Sequence, residues 1–256
     1  MDFISKASES PLRPLGALRR QITGAFGHRD FTRFIILSRS RTGSNLLLSL
    51  LNSHPNVQAE WEIFARLDGE PHDRRLARAF GRQPRRIRAK GFKLFYYHPL
   101  DDNSDALWRD LVADQALRVI HLKRRNILRC LVSRKIAAQR DAWSAAADNT
   151  GEAPRRKTVS FTTSELQDGF SQTRAWEHMG DRDFRHHRLL SLAYEDMAAQ
   201  PAATLERVQR FLSLPPARLN SDMRKQNPEP LSHLIANYDD LKQAFAGSQW
   251  SLFFEE

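Results

Sequence analysis

Between residues 34 and 51 the apolar positions change rhythm. Phe34-Ile35-Ile36-Leu37 is a continuous apolar run, Ser38 to Asn45 is polar with one glycine, and Leu46-Leu47-Leu48-Ser49-Leu50-Leu51 is apolar again. The first block predicts a buried strand and the last a helix, which ends near Asn52 because His54 precedes Pro55 and is pushed out of the α region. Val57 to Phe64 predicts a second short strand entering a loop. The arginine-dense stretch 66–88 keeps only Leu76, Ala79 and Phe80 at helical spacing, which predicts one charged helix between loops. Strands follow at Ala89 to Tyr97 and Arg118 to Leu122, the latter β-branched at its centre, with a helix over Ser104 to Ala113 between them. Ile127, Cys130, Leu131, Arg134 and Ala138 carry a further helix toward Trp143, whereas residues 148–158 hold only turn and charge signals and predict a mobile connection. An amphipathic helix from Thr163 through Trp176 and Met179, a strand over Leu189 to Ala193 and a helix over Pro201 to Leu212 complete the pattern.

Strands that alternate with helices predict an α/β fold: a P-loop-like, mostly parallel sheet with helices on both faces and ligands outside the carboxyl ends of the strands. Residues 31–256 are expected to form a single domain after a lead-in over 1–30. In that lead-in Leu15, Leu18, Ile22 and Phe26 lie at helical spacing around Arg19 and Arg20, which fits either a packed lead-in or an amphipathic helix touching a membrane surface. No apolar run approaches the roughly 18 residues of a membrane span and the start lacks a secretory signal, so a cytoplasmic protein is expected, with membrane contact at most peripheral. The single Cys130 excludes an internal disulfide framework and a multi-cysteine zinc site, and is expected as a small buried apolar group. Forty Lys and Arg against thirty Asp and Glu give a net charge of +10, which points to an anionic partner without choosing between nucleic acid, membrane and phosphorylated small molecule.

Two segments narrow that choice. The turn Ser38-Arg39-Ser40-Arg41-Thr42-Gly43-Ser44-Asn45 precedes a helix, whose first N–H groups and partial positive charge suit a phosphate or sulfonate, with the glycine letting the backbone close around it. The turn has no lysine and one glycine, so it is not a Walker A loop. At the end of a later strand, Leu122-Lys123-Arg124-Arg125-Asn126 is followed on the next helix by Ser133, a set able to hold a second phosphate. Both segments leave the sheet on the same edge, which implies a ligand with two separated anionic groups. Alone, the first is equally an ordinary turn with exposed arginines, and the second is more often a solvated pair than a functional one.

Together these residues resemble sulfotransferases that use 3′-phosphoadenosine 5′-phosphosulfate (PAPS), closest to the bacterial carbohydrate and lipid-linked-sugar branch that contains trehalose and nodulation-factor enzymes. The resemblance extends to Pro55 through Phe64, Gly91-Phe92-Lys93, Tyr194-Glu195-Asp196 with Phe211-Leu212, and Lys225-Gln226-Asn227-Pro228, so it covers roughly residues 32–245. It implies a sulfotransferase fold and transfer of a sulfuryl group from PAPS to a hydroxyl of a carbohydrate or glycolipid, with no metal. Arg39, Arg41, Thr42, Gly43, Ser44 and Asn45 would then hold the phosphosulfate, and Arg124 or Arg125 with Ser133 and Lys225 the 3′-phosphate. Glu62, in a Glu-x-Phe run, is implied as the base and Arg41 as a catalytic partner; the alternative is a Glu62 that pairs with Arg39, Arg41 or Lys93 to shape the loop. Glu60 and His98 stay open as bases: alternate residues of a strand share a face, which would put Gln58, Glu60 and Glu62 together. Glu195 and Asp196 are read as caps or tethers of the helix beginning near Pro201. The rival readings are a P-loop kinase-like phosphotransferase and a basic nucleic-acid-binding protein; no nucleic-acid reading motif is present.

Overall fold

The computed structural model describes residues 27–147, 158–223 and 227–255. The apolar stripe of the lead-in, all of the expected mobile connection but Thr158, Lys225 and the side chain of Trp143 lie outside these residues.

Five parallel strands form the sheet: β1 (Thr32–Ser38), β2 (Val57–Glu60), β3 (Ala89–Phe95), β4 (Arg118–Lys123) and β5 (Leu189–Ala193), in the order β2-β3-β1-β4-β5. The connecting helices are α1 (Ser44–Asn52), α2 (His72–Ala79), α3 (Ala106–Ala113), α4 (Ile127–Ala147), α5 (Thr163–Asp183), α6 (Tyr194–Ala199) and α7 (Pro201–Phe211), and α8 (Leu231–Leu234) and α9 (Tyr238–Ala244) follow. The expected parallel α/β sheet is therefore present. Its strands read as near-continuous apolar runs because both faces are covered. Phe34 and Ile36 pack with α1 and α7 residues such as Leu47, Leu51 and Val208. Their neighbours Ile35 and Leu37 turn to the opposite face, toward Leu107 and Leu111 of α3 and Phe184. Cys130 is buried as expected. Among the described residues no helix is long and apolar enough to cross a membrane.

One boundary that differs from the sequence reading bears directly on the site. β2 stops at Glu60 because the chain turns immediately: the Ile63 amide donates to the Trp61 carbonyl and the Ala65 amide to the Glu62 carbonyl, both at 2.9 Å. Glu62 thus lies in a turn, outside the strand alternation that grouped it with Glu60. Helix α5 starts at Thr163 as expected, behind Thr162, whose hydroxyl accepts from the Glu165 amide while the Glu165 carboxylate accepts from the Thr162 amide, a reciprocal cap.

The strand order places the site. From β1 the chain moves to the β3–β2 side and from β4 to the β5 side, so the β1 and β4 loops diverge and leave a crevice at the carboxyl edge.

Candidate active site

The β1–α1 loop is shaped by backbone conformations that face its amides inward. Arg41 has φ 70° and Gly43 φ 93°, both in the left-handed region, and the Thr42 hydroxyl ties the turn by donating to the Arg39 carbonyl at 2.8 Å. A side chain at Gly43 has no room: its Cβ would stand 2.3 Å from Cδ2 of Tyr194. Helix α1 begins at Ser44, and the Gly43 carbonyl accepts its first helical bond from Leu47.

The β4–α4 loop closes against this one. Arg124 donates from Nη1 to the Arg41 carbonyl at 3.1 Å, and its guanidinium lies 4.6 Å from the centre of the Tyr194 ring, a cation–π contact. Arg41 donates from Nε to Ser133 Oγ at 2.9 Å, and Asn227 donates from Nδ2 to the same oxygen at 3.1 Å. With its lone pairs occupied, Ser133 has its own hydroxyl hydrogen left to donate. Tyr194, directly after β5, lies beneath both loops. These residues line a cavity of about 630 Å³ together with Ser44, Asn45, Glu62, His98 and Arg129.

Not every residue expected here arrives. Arg39 is buried in the opposite direction, its Nη1 donating to the Thr173 hydroxyl of α5, and burial pulls its pKa down. Thr42 contributes its side chain to the turn and lies outside the cavity wall. Arg124 and Arg125 separate cleanly. Arg124 faces the cavity with its side chain 11% exposed, whereas Arg125 is 62% exposed and pairs with Asp196 at 2.7 Å. Glu195 and Asp196 do not cap the helix at Pro201 through their side chains. The Glu195 carboxylate instead accepts from the Arg125 and Asn126 amides at 3.0 and 3.4 Å, at the start of α4, where a negative charge meets the positive end of the helix. Only the Asp196 carbonyl reaches α7, accepting from the Thr204 hydroxyl.

The acid side of the cleft is built around a buried lysine. Lys93, from the fully buried strand β3, has no exposed side-chain surface; its Nζ donates to Glu62 Oε1 at 2.7 Å and to Asn45 Oδ1 at the start of α1. Burial lowers its pKa, and the Glu62 charge opposes that fall. The first loop has no lysine in its own run, yet one stands beside it in space. Glu60 takes a different partner, Lys90, at 3.1 Å, and does not line the cavity. His98 Nε2 is 4.0 Å from Glu62 Oε2, and burial pushes the imidazole down to about 4, so it is neutral at pH 7 and the carboxylate oxygen stays available. Tyr194 and Arg129 were not candidates in the sequence, and Lys93 entered only as one alternative partner for Glu62, the pair that is present here. For Arg129 the signal was its place one helical turn before Ser133; Lys93 shares its strand with Lys90, so charge within the strand did not single it out.

Comparison with known proteins assigns the framework. The sulfotransferase domain family matches residues 31–235, most of the chain and every element of the cleft described above. The chain belongs to the sulfotransferase domain family. This sulfotransferase is 29% identical over 240 residues to Nodulation protein H of Rhizobium tropici, a match covering 87% of this chain and 92% of that one. It is 27% identical to Nodulation protein H of Rhizobium meliloti (strain 1021), covering 87% and 94% of the two chains. The nodulation-type likeness implied by the sequence motifs is thereby borne out. A solved sulfotransferase from Alicyclobacillus acidocaldarius matches at 14% identity with a TM-score of 0.47, over 83% of this chain and 90% of the other.

Proposed function

We propose that this sulfotransferase takes its sulfuryl group from PAPS and transfers it in line to a hydroxyl of a carbohydrate or glycolipid, with Glu62 as the base. The observation that carries this reading is the pair of cross-bonded cationic loops at one sheet edge, a donor set suited to an anionic ligand that touches both. The residues fit such a ligand. Arg124 Nε is buried without a hydrogen-bond partner, Ser133 has a hydrogen to give, and Gly43 keeps the loop backbone open at a helix start. The cavity volume lies within the usual range for small-molecule sites, roughly 300–1,000 Å³. The motif resemblance to the carbohydrate and lipid-linked-sugar branch, in line with the likeness to Nodulation protein H, supports a glycan acceptor.

When bound, PAPS supplies an activated sulfur–oxygen bond whose cleavage releases adenosine 3′,5′-bisphosphate. Arg41, Ser44 and the amides at the start of α1 bind the 5′ side and stabilise charge on the departing phosphate. Arg124 and Ser133 hold the 3′-phosphate. Lys93 orients Glu62 by fixing one carboxylate oxygen, and Oε2 takes the proton from the acceptor hydroxyl.

Adenosine 3′,5′-bisphosphate is expected to raise the melting temperature without added metal, and more than 5′-AMP does, because only the former engages both loops. Equal shifts with the two nucleotides, or a strict need for Mg²⁺, contradict the donor assignment. Transfer of labelled sulfuryl from PAPS to a panel of saccharides and alkyl glycosides tests the acceptor class.

Of the adjacent arginines we assign Arg124 to the nucleotide, since it faces the cavity. Arg124→Ala removes a charge-assisted contact of about 1.5–3 kcal/mol and is expected to weaken nucleotide affinity by roughly ten- to a hundredfold in calorimetric titration. Arg125→Ala, which loses an exposed pair with Asp196, is expected to bind as the parent does.

A further inference from the structure

Large apolar side chains exposed to water are few among the described residues, and three of the four lie around the cleft. Among the described residues Trp61, Leu100, Met223 and Leu252 are the exposed ones; Leu100 and Met223 line the cavity, and Trp61 adjoins Glu62 at its rim. Leu100 is held on the rim that Trp61 and Glu62 form, since its amide donates to the carbonyl of Ala65, three residues beyond Glu62. An exposed apolar cluster at the mouth of a polar cleft costs solvation and marks a contact surface.

Trp61 is fixed as well as exposed. Its ring centre lies 5.0 Å from Lys93 Nζ, the same ammonium that holds Glu62 Oε1 at 2.7 Å, yet half of its surface remains open to solvent. The indole and the carboxylate are thus referenced to a single buried point. An indole face is electron-rich and flat. The complementary ligand is a flat apolar face with slightly positive hydrogens, which is what the axial C–H groups of a pyranose ring present, with hydroxyls projecting from the ring's edge.

We infer that Trp61 is the platform on which a pyranose acceptor stacks, setting one of its hydroxyls against Glu62 Oε2. This rests on the glycan-acceptor reading above. Trp61 touches substrate and takes no proton, so its contribution lies in acceptor binding and in which hydroxyl is presented.

The experiment compares Trp61→Ala, Trp61→Leu and Trp61→Phe with the parent, using whichever pyranosides of the glycoside panel the parent sulfates. Trp61→Ala and Trp61→Leu are expected to raise the acceptor KM about five- to tenfold, the range of a lost aromatic contact, with the PAPS KM and the melting shift with adenosine 3′,5′-bisphosphate unchanged. Trp61→Phe keeps an aromatic face and is expected to recover most of the loss. Leucine still covers Lys93, so a parent-like Trp61→Leu overturns the inference. A fall in kcat with unchanged acceptor KM overturns it too, since that marks a residue acting only through Lys93 and Glu62. A parent enzyme that binds the nucleotide but sulfates no pyranoside removes the acceptor reading and the platform with it. Parent turnover of pyranosides with all three variants unaffected removes the platform alone.

Discussion

Glu62→Gln binds adenosine 3′,5′-bisphosphate as the parent does but turns over roughly 10²–10⁴-fold more slowly, the usual contribution of a positioned base. The substitution preserves shape and an oxygen acceptor for Lys93, so the 2.7 Å contact can be kept as a neutral hydrogen bond. What it removes is the charge able to take a proton from the acceptor. Glu60→Gln is the matched control: its carboxylate is committed to Lys90 outside the cavity, and turnover is expected to stay near the parent value. Single-turnover assays with saturating PAPS separate chemistry from binding. A normal rate for Glu62→Gln beside a dead His98→Ala would transfer the base role to the imidazole, and loss of nucleotide binding in Glu62→Gln would make the carboxylate structural.

Gly43→Ala is expected to weaken nucleotide binding by roughly a hundredfold or more. Two costs combine. An L-residue at φ 93° carries about 1–2 kcal/mol of backbone strain, and the new Cβ would meet the Tyr194 ring at 2.3 Å. Either the loop or the ring must shift, and the ring also supports Arg124, whose charge-assisted contacts are worth about 1.5–3 kcal/mol. Gly69→Ala isolates the first cost, since Gly69 has φ 77° with nothing within 4 Å of its added Cβ. That control is expected to lose a little thermal stability and no affinity. Calorimetric titration with adenosine 3′,5′-bisphosphate, beside circular dichroism to verify folding, reads both outcomes. Equal affinity in Gly43→Ala and the parent would take the nucleotide away from this loop.

The strand and helix rhythm made the sheet legible because each strand is buried on both faces and each helix on one, which leaves distinct apolar periods in the chain. Where the reading slipped, local hydrogen bonding had overridden period: β2 looked long enough to include Glu62, but the tight turns at Trp61 and Glu62 end it. The cationic loops were legible as composition. The direction of each arginine was not, because neighbouring loop residues point where their partners lie: Thr173 draws Arg39 into α5, Tyr194 receives Arg124, and Asp196 takes Arg125 outward. Lys93 was visible in the chain as one of three possible partners of Glu62, but its choice over Arg39 and Arg41, and its contact with Asn45, depend on the parallel register that sets it beside Ile36 of β1. Glu195 was recognised as a tether and assigned to the wrong helix, since nearness in sequence favoured Pro201 while the fold brought Arg125 and Asn126 closer.

Arg41 and Arg124 each give a hydrogen bond across the crevice, the first to Ser133 and the second back to the Arg41 carbonyl. Parting the two loops breaks both bonds together, a cost that neither loop can avoid by moving alone. The floor therefore opens as one cooperative unit. Amide hydrogens on the two loops, more than eighty residues apart in sequence, should exchange with solvent through the same opening event and become protected together when either end is occupied. A fragment that fills one half of the crevice thus prepays the ordering of the other half.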